Sequence, residues 1–156
     1  MKITTSKLVY NILVNIPVCF ALGLAGALIA SPTINWANLG INFAVSFTIA
    51  MLIGLFVPLT AIGRWFTGLF HIKNDTYTGN LPYRLLATFI SSCIFYFIIS
   101  PVSMLVNFYL VPGQTFQTCM LEWLINIPFM FLVGYLSTLI SDLFGYKAAH
   151  KIDETF

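Results

Sequence analysis

Two asparagine–proline pairs stand out among the residues of this sequence whose side chains could do chemistry. Asn15 lies two residues before Pro17, and Asn126 lies two residues before Pro128, each within a long apolar segment. A proline leaves the carbonyl group four residues before it without a helical hydrogen bond and tends to bend the helix. An amide beside such a turn forms a polar notch in apolar surroundings. The notch can bind a ligand or hydrogen-bond a neighbouring helix, and the sequence leaves both interpretations open.

Two tyrosines and one acid complete the set of candidate polar side chains. Tyr96 and Tyr135 fall near the middle of their apolar segments, where a phenol needs a hydrogen-bond partner and can face a cavity or another helix. Glu122 begins the last apolar segment, where its charge can attract cations or stabilise a helix N-terminus. Asp142, at the far end of that segment, is expected to pair with Lys147 or another cation. The candidate substrate pathway comprises Asn15, Asn126, Tyr96, Tyr135 and Glu122.

Catalytic and metal-binding patterns are missing from the sequence. It contains no Ser/His/Asp constellation, no paired-histidine metal motif and no glycine-rich phosphate loop. The three cysteines are scattered, with no Cys-x-x-Cys spacing, and are interpreted as small packing residues. We therefore expect no enzyme activity, no metal or other cofactor and no nucleic-acid partner.

The composition indicates which elements must position these residues. Of the 156 residues, 59% are hydrophobic, 16% aromatic and only 8% charged, and the mean hydropathy is +0.92. A soluble domain is about one quarter charged because its surface faces water. These values exclude a soluble enzyme, a nucleic-acid-binding domain and a disordered chain. They predict an all-α membrane protein whose first partner is the lipid bilayer.

Two charge-free stretches set the number of membrane-spanning helices. Leu8 to Gly63 contains no Asp, Glu, Lys, Arg or His, and neither does Leu85 to Leu121. A helix needs about 20 apolar residues to cross a bilayer, and proline with polar residues interrupts the chain at 31–38 and 111–114. The predicted membrane-spanning helices are 8–30, 39–62, 85–110 and 119–143. They form a single membrane domain of two tandem hairpins, divided into a first hairpin 8–62, a loop 63–84, a second hairpin 85–143 and a tail 144–156.

Each predicted helix contains one proline. Proline is rare inside soluble helices, but membrane helices tolerate it because neighbouring groups satisfy the freed backbone. We expect helix bends at these positions, which serve either as hinges or as fixed features of the bundle. The predicted bends are at Pro17, Pro58, Pro101 and Pro128.

The positive residues predict the orientation of the chain. All seven Lys and Arg residues lie before the first helix, between the two hairpins or after the last helix, and the hairpin loops carry none. Positive residues favour the cytoplasmic side, so both termini and the central loop are predicted to be cytoplasmic in a multi-pass protein of the bacterial inner membrane. The first apolar segment is longer than the 7–15 residues of a signal-peptide core, so we expect it to be retained.

The two hairpins have the pattern of an internal duplication. A shift of 80 residues aligns Asn42–Ala61 with Glu122–Ser141 and places Gly54 on Gly134. Two copies with the same orientation would be related by a pseudo-two-fold axis along the membrane normal, as in parallel transporter repeats. Pairs of small residues four apart, such as Gly23 and Ala27, fit close helix packing within the chain or at a homodimer seam.

These features resemble two groups of membrane proteins. The tandem hairpins and the run Trp123-Leu124-Ile125-Asn126-Ile127-Pro128-Phe129 resemble small bacterial membrane proteins of unknown function built from this two-helix unit. The architecture is similar to that of the proteobacterial antimicrobial-compound efflux family, for which an acid in the first helix is expected to couple proton flow to export. The present sequence differs there, since its first helix has Asn15 and no acid.

Two functional hypotheses follow. The first is a small bacterial inner-membrane transporter that exports amphipathic or cationic small molecules and acts as a homodimer, because four helices enclose little space. With no ionisable group expected between the membrane interfaces, transport would be facilitated diffusion or coupled through Glu122. The alternative is a non-transporting membrane component, such as an assembly partner or an immunity or stress protein. Leucine at Asn15 or Asn126 would abolish transport under the first hypothesis and disturb a complex or stability under the second.

Overall fold

The computed structural model describes residues 4–30, 33–72, 80–110, 113 and 115–153, and the fold is reported for these. Within them the chain is helical and has no strand. The helices are α1 Thr5–Ala30, α2 Trp36–Phe56, α3 Leu59–Leu69, α4 Leu81–Leu110 and α5 Phe116–Ile152. Of these, α1, α2, α4 and α5 are long and apolar enough to cross a membrane. The prediction of an all-α protein with four membrane-spanning helices is confirmed.

Polar residues of the hairpin loops begin two of the long helices. The Asn35 side chain accepts hydrogen bonds from the backbone N–H groups of Ala37 and Asn38, at 3.1 and 3.2 Å. The Thr115 hydroxyl accepts from the N–H of Thr118 at 3.2 Å. Both are N-caps, which supply partners to the N–H groups that a helix start leaves unpaired. The polar residues predicted to form loops therefore also fix where α2 and α5 begin.

The prediction of a bend at Pro58 inside the second helix is wrong. The helix α2 ends at Phe56, and Pro58 lies between α2 and α3 as the N-cap residue of α3. Proline disfavours the helical conformation of the residue before it. Val57 accordingly adopts an extended backbone, with φ −85° and ψ 132°. The other three prolines lie inside their helices, as predicted.

The predicted cytoplasmic segments contain more helix than expected. The central loop, predicted as 63–84, is helical up to Leu69 and again from Leu81, and its residues 73–79 lie outside the described part of the chain. The helix α5 continues to Ile152, through most of the predicted tail. The short helix α3 is amphipathic: Gly63 and Thr67 are buried on one side, while Trp65 is 65% exposed.

The four long helices form a ring in which each packs against two neighbours: α1 against α2 and α5, and α4 against α2 and α5. Neighbouring helices are antiparallel. Asn42 Nδ2 donates to Asn107 Oδ1 at 2.6 Å, and one turn further along α2 the Ser46 and Ser103 hydroxyls lie 2.9 Å apart. Because residue numbers rise along α2 while they fall along α4, these bonds fix an antiparallel register.

Glycines bring α1 close to both of its neighbours. A Cβ at Gly145 of α5 would lie 2.7 Å from Val14 Cγ2 and 3.3 Å from the Tyr10 carbonyl oxygen. A Cβ at Gly54 of α2 would collide with the Asn11 Oδ1 atom. Small residues that let backbones approach are typical of membrane helix interfaces. At Gly54 this packing is used inside the chain, between α1 and α2.

The outer surface of the bundle is apolar. In each of the four long helices, only 17–28% of the most apolar stretch is buried. A small core of Cys19, Ala50, Ile53 and Ile99 joins α1, α2 and α4. Large side chains such as Phe97 and Leu132 point outward and are more than half exposed. An exposed apolar surface of this extent suits contact with lipid rather than water.

Candidate functional site

Two cavities, each partly open to the outside, lie between the helices at different levels of the bundle. The first lies toward the beginning of α1 and has a volume of about 160 Å³; we call it the Asp142 cavity. The second lies toward the hairpin loops, between α1, α4 and α5, and has a volume of about 450 Å³; we call it the Asn126 cavity.

The polar wall of the Asp142 cavity comes from α1. Lys7, Asn11 and Asn15 are spaced four residues apart, so their side chains share one face of the helix. Lys7 Nζ donates to the Leu55 carbonyl oxygen at 2.7 Å. Asn11 Nδ2 donates to the Lys7 carbonyl oxygen at 2.8 Å and to that of Gly54 at 3.4 Å. This face therefore holds the end of α2 and also lines the cavity.

Asn15 is buried in the bundle, with 2% of its surface exposed. Its Nδ2 atom lies 3.7 Å from the Met51 sulfur, which is a weak acceptor. Asn15 lines the Asp142 cavity, whereas Asn126 lines the other one. The two asparagines thus line different cavities, and a single pathway that contains both stays a prediction.

Asp142 is buried in the bundle. Its side chain is 2% exposed, and Tyr10 donates its hydroxyl hydrogen to Asp142 Oδ1. The predicted pair with Lys147 is wrong, whereas a pair with another cation stays a prediction. Lys147 is exposed, and five residues along a helix correspond to a rotation of about 140°, so the two side chains lie on different faces. Asp142 instead lies on the face of α5 that packs against α1.

The α4 side of the Asp142 cavity contains a hydroxyl without a protein partner. Thr88 is 3% exposed and lines the cavity, and its Oγ1 atom makes no hydrogen bond to any described residue. A buried hydroxyl left unpaired costs about 1–3 kcal/mol, so such groups normally bind water or a ligand. The space beside this hydroxyl is large enough to admit a water molecule as its partner.

Three predicted site residues meet in the Asn126 cavity. Asn126, Tyr96 and Glu122 all line it. Asn126 Nδ2 donates to the Glu122 carbonyl oxygen at 2.8 Å, within its own helix. This hydrogen bond of Asn126 lies within one helix. An asparagine hydrogen bond between two helices is formed instead by Asn42 and Asn107.

Aromatic side chains form one wall of the Asn126 cavity. Tyr96 is 4% exposed and packs edge-to-face on Phe131, with ring centroids 5.8 Å apart. Trp123 donates its indole hydrogen to the Ser100 hydroxyl and so bridges α5 to α4. Rigid rings held in this way can pack against an apolar or cationic ligand.

Tyr135 lies outside both cavities. Its hydroxyl donates to the Leu85 carbonyl oxygen at 3.2 Å, and its ring stacks on Phe131 with an interplanar angle of 5°. This is the cross-helix hydrogen bond that the sequence offered as one of two interpretations, but the partner is a backbone carbonyl. Tyr135 consequently joins α4 to α5 and does not line either cavity.

Sequence reasoning missed most of the Asp142 cavity. Asn11 and Tyr10 were not singled out, and Asp142 was placed at an interface. The four-residue spacing of Lys7, Asn11 and Asn15 is a signal that would have identified the polar face of α1. No comparable signal exists for Tyr10 and Asp142, because 132 positions separate them in the sequence.

The four long apolar helices place this chain in the class of multi-pass α-helical membrane proteins. No family model, curated protein or solved structure gives a significant match to it. The resemblances to the two-helix-unit proteins and to the efflux family stay predictions, and the function must be inferred from the cavities themselves.

Proposed function

We propose that this protein is a small bacterial inner-membrane transporter that exports amphipathic, cationic small molecules, and that the substrate binds in the Asn126 cavity. The observation that carries the proposal is this cavity of about 450 Å³ inside an apolar bundle. Small-molecule sites commonly have volumes of about 300–1,000 Å³ and combine apolar walls with a few polar groups. The Asn126 cavity likewise combines apolar lining residues such as Ile99 with polar ones such as Ser100 and Asn126.

The charge of the lining favours a cation. Glu122 is the one ionisable acid among the described residues that line the Asn126 cavity, and none of them is Lys, Arg or His. The rings of Tyr96 and Trp123 lie in the same lining, and aromatic faces attract cations. Apolar side chains such as Ile125 and Met130 supply contacts for the rest of an amphipathic molecule. An anionic substrate would find no positive partner there.

Export is proposed from the orientation that the positive residues favour, with both termini in the cytoplasm. A homodimer and an internal repeat belong to the same proposal. Cys119, Glu122 and Trp123 line the cavity in the first turns of α5. With both termini in the cytoplasm, this end of α5 would lie near the outer interface. A substrate leaving this mouth would reach the outside.

Equilibrium binding of ethidium, a cationic aromatic dye, tests the proposed site. The protein in lipid nanodiscs is titrated and the dye's fluorescence polarisation gives Kd. Glu122→Gln should raise Kd about tenfold, since loss of one partly solvated charge pair costs on the order of 1.4 kcal/mol. Asp153→Asn is the matched control, because Asp153 caps the end of α5 outside both cavities, and it should leave Kd unchanged. An equal Kd for both variants would refute the site.

Growth of an efflux-deficient bacterial host tests transport. The host expressing the protein is exposed to a panel of cationic biocides, beside Asn126→Leu at matched membrane abundance. Resistance that is lost in the variant supports export through the Asn126 cavity. If no compound gives resistance and no dye binds, the alternative of a non-transporting membrane component is favoured.

A further inference from the structure

The Asp142 cavity has no role in the proposed binding of substrate, yet its lining includes several buried polar side chains. It contains a buried carboxylate, two buried amides and the partnerless Thr88 hydroxyl. A cavity of about 160 Å³ has room for several water molecules, each of which needs polar partners. Since buried ionisable groups within a membrane are costly, their presence there points to a function.

The charged and titratable groups around Asp142 come from α1, α3 and α4. On α1, Lys7 and Tyr10 line the cavity, and Tyr10 donates to Asp142. On α4, Tyr83 lines it, and Arg84 donates from Nη2 to the Leu139 carbonyl oxygen at 3.4 Å. The helix α2 contributes no ionisable side chain, and from α3 Arg64 lies beside Tyr83.

Resting on the proposed function, we propose that Asp142 takes up and releases the proton whose movement drives export. The proton moves from water in the cavity to a carboxylate oxygen of Asp142 and later returns to water, so no covalent bond to carbon changes. The Tyr10 hydroxyl holds the carboxylate on the face toward α1. Once protonated, the side chain is neutral, and its burial between helices becomes far less costly.

The lining favours a proton over a metal cation. Asp142 is the one carboxylate among the described residues that line the cavity, and the Lys7 ammonium group lines it too. A sodium ion would therefore meet a like charge and only one anionic ligand. A proton needs a single acceptor and leaves no charge on it, which agrees with one carboxylate among neutral hydroxyl and amide groups.

Shared helices connect this cavity to the substrate cavity. The helices α1, α4 and α5 line both. Asp142 and Asn126 lie on the same helix, about 24 Å apart at 1.5 Å per residue. A change of packing between α1 and α5 when Asp142 becomes neutral would therefore reach the walls of the Asn126 cavity without a separate moving part.

Two measurements on proteoliposomes separate this inference from the proposed function. Exchange of radiolabelled ethidium against unlabelled ethidium at equal pH requires a substrate pathway but no driving ion. Accumulation of the dye in acid-inside vesicles, against its concentration gradient, requires the proton. Asp142→Asn should still exchange the dye, but its accumulation of the dye should fall at least tenfold. The control Asp153→Asn should exchange and accumulate the dye as the unchanged protein does. A sodium gradient at equal pH should drive no accumulation.

Each outcome has one meaning. If the unchanged protein does not exchange the dye, the proposed function fails and the coupling role fails with it. If it exchanges and accumulates the dye, and Asp142→Asn does so equally, only the proton role of Asp142 is overturned. Accumulation that follows the sodium gradient overturns the choice of ion.

A second variant covers the case in which Asp142→Asn fails to fold. Tyr10→Phe removes only the hydroxyl that donates to Asp142. It should shift the pH at which accumulation is half-maximal and leave exchange at equal pH intact, a change that a purely structural role of the hydroxyl would not produce. An unshifted pH profile in a folded Tyr10→Phe protein overturns the proposal.

Discussion

Replacement of Gly145 by alanine should force α1 and α5 apart at the point where Tyr10 reaches Asp142. The added Cβ would lie 2.7 Å from Val14 Cγ2, 3.2 Å from Tyr10 Cδ2 and 3.3 Å from the Tyr10 carbonyl oxygen. Apolar carbon atoms normally approach to about 3.5–4.0 Å. The carbonyl belongs to the backbone of α1 and cannot rotate away, so the helix itself must move.

The size of the effect follows from two opposing contributions. Overpacking of a tight site costs about 1–3 kcal/mol. Alanine is a better helix former than glycine by about 1 kcal/mol, which offsets part of this cost. Gly40→Ala isolates the second contribution, because a Cβ at Gly40 in α2 meets no atom within 4 Å. The free energies of unfolding of the two variants should thus differ by about 1–3 kcal/mol.

Thermal unfolding in detergent, followed by intrinsic fluorescence, measures this difference. For a chain of this size, 1 kcal/mol corresponds to about 2–4 °C in Tm, so Gly145→Ala should melt roughly 2–12 °C below Gly40→Ala. Equal Tm values, or a higher Tm for Gly145→Ala, would refute the close contact between α1 and α5. The same variant should also weaken proton-driven accumulation, because Tyr10 moves with α1.

Two further predictions concern other parts of the bundle. Asn42→Leu and Asn107→Leu should each lower the free energy of unfolding by about 0.6–2 kcal/mol. The double variant should lose less than the sum of the two, because neither amide is then left without its partner. Additive losses in a thermal double-mutant cycle would contradict the hydrogen bond of 2.6 Å. In a protein that also carries Trp36→Phe and Trp123→Phe, Trp65 is the one remaining tryptophan. Lipids brominated near the headgroup should quench its fluorescence, because its side chain is 65% exposed on an amphipathic helix. Fluorescence that these lipids leave unchanged would contradict an interfacial α3.

Apolar length and the absence of charge were sufficient to predict the four long helices. Both properties act locally, because every residue within a bilayer core meets the same apolar solvent. The ends of the helices were less predictable. The helix α2 ends at Phe56, before Pro58 and six residues before the predicted boundary at 62. Hydropathy alone predicts one continuous helix there, whereas the chain breaks and begins the amphipathic α3 at Leu59.

The candidate site was predicted only where local sequence determines it. Asn126 and Glu122 lie one turn apart on α5, and their shared cavity follows from that spacing together with Tyr96 on α4. The burial of Asp142 depends on which helix packs against its face, and this is a property of the assembled ring. Tyr10 is brought to it by the close contact at Gly145, which no local pattern encodes.

The predicted duplication, if present, would give the Asp142 cavity a specific geometry. The shift of 80 residues places Asn11 on Ser91 and Asn15 on Phe95, and all four residues line this cavity. A pseudo-two-fold axis along the membrane normal would therefore run through the cavity, with α1 and α4 on opposite sides. The two sides differ in chemistry, because α1 supplies amides where α4 supplies a hydroxyl and a phenyl ring. A proton site on one side of an otherwise symmetric cavity would allow Asp142 to act on the α1–α5 contact alone, while the α2–α4 contact, held by Asn42 and Asn107, stays fixed.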